Sequence, residues 1–147
     1  MNLTEHLEAC KSLIEQLPSQ PKVELFAGTL SIESLEKLTL DGQKCYVYLG
    51  CPGGPIPPKK DRINLECEAV FGAFVVAKAD NDTKGLSRKA MSTANEIASA
   101  IDNFYGNPQT NPKLPELQSI EELFSGFGNK ISFSAWQVVW TQRIIIG

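Results

Sequence analysis

The hydrophobic pattern is most informative over residues 131–146, near the C-terminal end of the chain. This stretch contains neither proline nor glycine and is rich in β-branched and aromatic side chains, as strands are. Alternate positions place the following apolar residues on one strand face: Trp136, Val138, Trp140, Ile144 and Ile146. Because the opposite face is also largely apolar, from Ile131 to Ile145, the pattern predicts a central strand that is covered on both sides.

Two further strands are predicted over 44–51 and 63–78. The residues between them, 52–62, read PGGPIPPKKDR and include four prolines and two glycines, a composition typical of an exposed connection. The pattern therefore predicts a hairpin with a long loop. Polar and apolar residues alternate at the start of 63–78 and both faces are apolar further on, so we expect the strand to be half-exposed near the loop and buried beyond it. Gly72 is expected to mark a bulge or the close approach of a helix.

Apolar residues at helical spacing predict two helices. In the first, Asn2 and Glu5 can cap the N-terminus, and Pro18 and Pro21 end the helix. The second, over 86–105, has the longest apolar stripe and many alanines, which allow close packing on a sheet. Gly106 follows it as an expected C-terminal cap.

Shorter segments complete the prediction. Residues 23–27 are expected to form a brief strand and 31–38 one or two helical turns. The pattern of 117–124 fits either a helical turn or a strand, and we favour a strand that forms a hairpin with the C-terminal strand. Turn residues at 80–85 and a polar linker at 107–115 separate these elements. The sequence thus predicts a single α+β domain, 1–147, with a mostly antiparallel sheet of about four strands flanked by helices.

Composition narrows the class of protein. The chain has 147 residues and a formal net charge of −3, without the basic excess of a nucleic-acid-binding protein. The N-terminus does not resemble a signal peptide, and the longest apolar run, 69–77, is too short to span a membrane as a helix. Four cysteines without a signal sequence are expected to be free thiols in a reducing cytoplasm. We therefore expect a soluble intracellular domain that binds neither nucleic acid nor membrane.

Residues that could carry chemistry are few. His6 is the only histidine, and we expect it to be a solvated position in the first helix. The cysteine spacing does not fit a zinc site, and the glycine-rich 50–55 segment lacks the Lys-Ser/Thr pair of a phosphate-binding loop. Four glutamates occur in two close pairs and are expected to be solvated: Glu66, Glu68, Glu121 and Glu122. The sequence therefore predicts no enzyme, no cofactor and no metal.

Exposed loops are better candidates for protein contacts than for catalysis. The 52–62 loop offers Ile56 and a local positive patch on an acidic protein, and the segment after 117–124 offers aromatic residues. The predicted interface residues are Lys59, Lys60, Arg62, Phe124 and Phe127. A solubilising hairpin tip is an alternative interpretation of the lysines.

The order of features resembles a known family. An N-terminal helix precedes a strand ending in Val47-Tyr48-Leu49-Gly50, and a strand of the FGAFVVAK type follows the loop. A long helix then closes with Tyr105-Gly106, and the chain ends in WQVVWTQRIIIG. This order resembles the small tail proteins of Mu-like phages and prophages, which have a tail-terminator-like fold.

The resemblance implies a mostly antiparallel sheet flanked by helices and assembly into a ring, typically a hexamer, at the end of a phage tail tube. It implies no catalytic residues. The implied partners are copies of the same chain, the tail tube and head-completion proteins. The implied locations are the bacterial host cytoplasm during assembly and then the virion tail.

Two other functions stay open from the sequence. One is a small cytoplasmic bacterial enzyme or enzyme subunit, which would need a pocket with convergent polar groups. The other is a protein-interaction domain unrelated to phage.

Overall fold

A computed structural model of the protein describes residues 2–27, 44–80, 82, 86–106, 111–126 and 133–147, with the backbone alone at 124–126. The elements, in chain order, are α1 (Leu3–Glu15), β1 (Lys22–Leu25), β2 (Tyr46–Gly53), a short 3-10 helix (Lys59–Asp61), β3 (Glu66–Lys78), α2 (Arg88–Ile101), β4 (Glu116–Gly126) and β5 (Phe133–Ile145). The predicted helical turns at 31–38 lie outside the described residues.

The strands form one sheet in the order β1-β2-β3-β5-β4. The pair β1-β2 is parallel and the other three pairs are antiparallel. The predicted α+β class is confirmed, and so is the antiparallel arrangement of β2, β3 and β5. The described sheet has five strands and is mixed, whereas about four strands were expected, because the short segment at 22–25 pairs along the edge of β2.

β5 is a central strand, as predicted, since β3 and β4 pair with its two sides. Both described helices pack on one sheet face, where Trp140 and Ile144 are completely buried. The opposite face is buried at one end, where Val76 and Ala135 have no exposed surface. Towards the other end, around Arg143, it is only half-buried. The prediction that both faces of β5 are covered therefore holds for the helical face, whereas the opposite face is only partly buried.

α1 begins after Asn2 as predicted, whereas α2 begins at Arg88 rather than at 86, because Ser87 is its N-cap. The side chain of Asn2 accepts a hydrogen bond from Glu5 N at 2.9 Å, and the Ser87 hydroxyl accepts one from Ala90 N at 3.2 Å. Each bond satisfies a backbone donor that has no partner within its helix. α2 ends at Ile101 rather than at 105 because Phe104 N bonds back to Ile101 O at 2.9 Å and closes a tight turn. Gly106, at φ +78°, therefore lies beyond the helix and does not cap it directly.

The β2-β3 hairpin departs from the prediction at its loop end. β2 continues to Gly53, and β3 begins at Glu66 rather than at 63. The bulge expected at Gly72 is instead in β2, where Gly50 pairs with Gly72 but Gly53 pairs with Val70. The alternative expectation, a close helix, is also wrong, since a Cβ atom at Gly72 would meet nothing within 4 Å. A glycine in a predicted hairpin suggests a bulge, but the sequence does not show which of the two strands carries the extra residue.

β4 confirms the prediction of a strand at 117–124 that pairs antiparallel with the C-terminal strand. It runs along the free edge of the sheet opposite β1. Two register shifts, between Leu117 and Ser119 and between Glu122 and Phe124, each leave one extra residue in β4.

The packing of α2 on the sheet leads to a first prediction. Ala94 is completely buried in the helix–sheet contact, whereas the next residue, Asn95, is exposed. Ala94→Asp would place an unpaired charge in this contact, at a cost of about 3 kcal/mol or more. We expect the variant to be largely unfolded by circular dichroism, while Asn95→Asp keeps the wild-type urea midpoint. An unchanged midpoint for Ala94→Asp would contradict this packing.

Candidate functional site

The connection between β2 and β3, residues 54–65, is here named the hairpin tip. Its backbone is held by internal hydrogen bonds from a single arginine: Arg62 Nε donates to Pro57 O at 2.8 Å, and Arg62 Nη1 donates to Asn64 O at 2.9 Å. At the start of β3, Glu66 Oε2 accepts from Ile63 N at 3.2 Å and from Asn64 N at 3.0 Å. The tip is therefore a fixed structure, although its composition predicts only an extended loop.

Arg143 of β5 fastens the hairpin tip to the sheet. It lies opposite Glu68 in the strand register, and its Nε and Nη2 donate to Glu68 Oε2 at 3.0 and 2.9 Å. Its Nη1 lies 3.6 Å from Glu66 Oε1 and donates to Asp61 O at 3.2 Å. The guanidinium thus connects two strands with the 3-10 helix of the tip. Charge-assisted bonds of this kind fix geometry as well as adding stability.

The expectation that Glu66 is solvated is wrong. Its relative exposure is 3%, and its carboxylate is satisfied by two backbone N–H groups and the nearby Arg143. Burial of a carboxylate in this way requires a cation on the same sheet face. One feature of the sequence indicates this ion pair: Arg143 is the only charged residue in the 131–146 stretch.

The outer surface of the hairpin tip combines positive charge with exposed apolar side chains. Lys59 and Lys60 are exposed on the 3-10 helix and make no ion pair with any described residue. Beside them in the chain, Ile56 is 52% exposed, Leu65 42% and Ile63 96%. Three apolar side chains exposed within ten residues of the chain make the tip a candidate contact surface.

The predicted interface residues do not form one site. Lys59 and Lys60 lie together on the hairpin tip, but the Arg62 guanidinium is used within the loop. Phe124 pairs with Ala135, at the end of the sheet opposite the tip, and its side chain is not described. Phe127 lies outside the described residues. Glu121 and Glu122 are exposed on β4, as expected.

His6 is not solvated, contrary to the sequence-based expectation, because α1 packs it against the sheet. Its ring meets Phe71 edge-on with centroids 5.2 Å apart, and Asn111 Nδ2 lies 3.3 Å from its Nδ1. Asn111 Nδ2 also donates to Tyr105 O at 2.6 Å. A Cβ atom at Gly106 would lie 2.6 Å from His6 Nδ1, so only glycine fits beside the ring.

Gln142 of β5 completes this buried polar cluster. Its Nε2 donates to Tyr105 O at 3.2 Å and to Lys113 O at 3.1 Å, and so ties the segment between α2 and β4 to the sheet. Burial lowers the pKa of His6 to about 4, and interaction with the Gln142 side chain offsets part of this shift. Among the described residues, however, neither His6 Nε2 nor Gln142 Oε1 has a hydrogen-bond partner of ordinary geometry. Because its pKa is about 4, the His6 ring is neutral at pH 7, and it contributes to the packing of α1 on the sheet.

The four cysteines are free thiols, and three of them are buried. Burial raises the pKa of Cys10 to about 12 and that of Cys45 to about 11. The pKa values of Cys51 and Cys67 are raised by the same cause. Because the thiolate is the reactive form, these cysteines are weak nucleophiles at neutral pH. The part of the chain that the structure describes holds no group of three or more His, Cys, Asp or Glu side chains suited to a metal.

An apolar groove of about 670 Å³ lies beside the bulge in β2. Gly50 and Gly72 border it, and Phe26, Phe74 and Val139 are among its walls. The polar side chains among its described lining residues are those of Gln137 and Cys51. Catalytic pockets normally bring several polar groups together, and this groove does not.

No protein-family model and no curated protein matches the chain. Among the residues described, no helix is long and apolar enough to cross a membrane.

The buried histidine gives a second prediction. Its pKa is lowered in the folded state, from 6.5 to about 4, so the unfolded chain takes up the proton first as the pH falls. The stability that the neutral ring provides is complete above pH 6.5 and is lost between pH 6.5 and 4. The shift corresponds to about 3 kcal/mol. Urea unfolding measured across this range should show the loss.

The control for this experiment is His6→Gln, which keeps a polar amide in the cluster but cannot titrate. We expect it to be less stable than wild type at pH 7, with a shallower fall in stability between pH 6.5 and 4. Equal slopes for the two proteins would show that other groups cause the acid sensitivity.

A third prediction separates the two arginines near the hairpin tip. Arg143→Gln leaves the buried Glu66 carboxylate without its cation, and we expect a loss of about 2–3 kcal/mol in the free energy of unfolding. Arg62→Gln removes bonds to loop carbonyls that water can solvate, so its loss should be about 1 kcal/mol or less. Chemical denaturation measures both. A loss from Arg62→Gln as large as that from Arg143→Gln would refute the anchoring role.

Proposed function

We propose that the protein is a non-enzymatic tail assembly protein of a phage or prophage, similar to tail terminators or completion proteins. It forms a ring, typically a hexamer, at the end of the tail tube, in the host cytoplasm during assembly and later in the virion tail. The observation that carries the assembly role is the hairpin tip, a fixed loop that exposes three apolar side chains and two lysines that make no ion pair with the described residues.

The rigidity of the tip supports a contact role. Binding costs entropy when a loop must become ordered, and a loop already fixed by Arg62, Arg143 and Glu66 avoids much of that cost. Prolines at 55, 57 and 58 restrict it further. A merely solubilising loop would need neither these bonds nor an exposed Ile63.

The fold and the chain order support the phage assignment. An α+β domain with helices packed on a mostly antiparallel sheet is consistent with the tail-terminator-like fold that the resemblance implies. β2, which contains Leu49-Gly50 and continues to Gly53, the long β3 and the C-terminal β5 occur in the order expected.

The two alternatives differ in their support. An interaction domain unrelated to phage would use the same hairpin tip, so the nature of the partner distinguishes it from a tail protein. An enzyme subunit has less support, since the apolar groove offers one amide and one weakly acidic thiol among its described lining.

The fourth prediction tests self-assembly through the tip. Lys59→Glu/Lys60→Glu should leave the melting curve unchanged, because both side chains are exposed. It should lower the oligomeric fraction measured by size-exclusion chromatography with light scattering. The effect should be greatest at low salt, where exposed charges are least screened.

The matched control is Lys44→Glu/Lys78→Glu, which makes the same change in net charge. These lysines are also exposed but lie at the end of the β2-β3 hairpin away from the tip. We expect the control to associate like wild type. If both double variants behave alike, net charge rather than the tip governs association.

The same tip variant tests the role in a phage. In a prophage that carries it, we expect tails of abnormal length in electron micrographs and reduced infectivity. Tails of normal length with full infectivity would remove the tip from the mechanism.

A further inference from the structure

The exposed apolar side chains of this protein are concentrated on two surfaces. Six large hydrophobic residues are exposed among those the structure describes. Three of them lie on the hairpin tip, and two others, Leu114 at 38% and Ile120 at 39%, lie on or just before β4.

Residues 114–122, along and just before the edge strand β4, are here named the acidic edge. The register places Ile120 and Glu122 on the helical face of the edge strand. It places Glu116 and Glu121 on the other face, so a partner must straddle the edge to contact them together.

The acidic edge is opposite in charge to the hairpin tip. Glu116, Glu121 and Glu122 are exposed there, and no lysine or arginine occurs between residues 114 and 126. The tip in turn exposes Lys59 and Lys60 without ion pairs to described residues.

The tip also carries Arg62 and one exposed carboxylate, Asp61, and an exposed lysine, Lys113, lies beside the acidic edge. Each surface therefore combines apolar side chains with a net charge, positive on the tip and negative on the edge, and the two net charges are complementary.

Pairing of β4 with β4 of another copy is disfavoured. The two extra residues in β4 interrupt a regular ladder, and three glutamates would face like charges. Bulges and charges of this kind protect sheet edges against edge-to-edge association. A partner that brings lysines and compact apolar side chains avoids both obstacles, because it contacts side chains rather than extending the sheet.

We propose that the hairpin tip of one copy docks on the acidic edge of a second copy. Lys59 and Lys60 pair with the glutamates of β4, and Ile56, Ile63 and Leu65 cover Leu114 and Ile120. This inference rests on the proposed self-assembly and names the surface that receives the tip. Because each chain carries both surfaces, the contact is heterologous and builds a closed ring or an open filament.

The test exchanges the charges of the two surfaces. One variant is Lys59→Glu/Lys60→Glu and the other is Glu121→Lys/Glu122→Lys, all at exposed positions. Each variant alone should associate at least about tenfold more weakly than wild type, because like charges then meet at the contact. Sedimentation velocity over a concentration series measures the association.

Mixing the two variants supplies the decisive result. In the mixture, each reversed tip meets a reversed edge and each native tip meets a native edge, so association should return to about the wild-type level. The single chain that carries all four substitutions should also associate with itself. Recovery of this kind, with wild-type association of the Lys44→Glu/Lys78→Glu control, shows that the tip and the acidic edge contact each other rather than that net charge governs association.

The remaining outcomes separate this inference from the proposed function. If wild type associates and the tip variant weakens it, but neither mixing nor the fourfold variant restores it, the tip docks elsewhere and only this inference fails. If the edge variant associates like wild type, this inference also fails. A wild-type protein that stays monomeric at every concentration would overturn both.

Discussion

The pairing of β3 with β5 is the interaction on which the rest of the structure depends. It runs without a register shift from Glu66 opposite Ile145 to Lys78 opposite Phe133. In an antiparallel pair this register decides which side chains share a face. It places Phe71 against Trp140 on the helical face, with ring centroids 5.7 Å apart, and it places Glu68 beside Arg143 on the other face. The Phe71–Trp140 contact in the core and the Arg143 bonds that hold the hairpin tip thus both depend on the register of β3 with β5.

The parts of the fold that could be predicted are those with local signals. The C-terminal strand, the hairpin across 52–62 and the cap at Asn2 follow from periodicity, prolines and a side-chain acceptor at the right spacing. The end of α2 could not be placed, because it depends on a turn closed at Phe104. The parallel pairing of β1 was also missed, since four residues carry too little pattern to show their partner.

The candidate site shows the same division. Exposure of Lys59 and Lys60 follows from their loop, but the buried positions of His6 and Glu66 depend on partners distant in the chain, Asn111 and Arg143. A polar residue within a helix or strand is normally expected to face solvent, and its burial can be recognised only when the element packed against it is known. The hydrogen bonds of Glu66 and Arg143 that hold the hairpin tip could not be predicted for this reason, although its prolines indicate a restricted backbone.

Hydrogen–deuterium exchange at low and high protein concentration tests the central claim, self-assembly through the hairpin tip, most directly. Amides that become buried between copies exchange more slowly, while those in the interior of each copy do not change. The account predicts added protection at high concentration in peptides covering 54–65 and 114–122, and none in α2. Protection elsewhere, or none at any concentration, would contradict it.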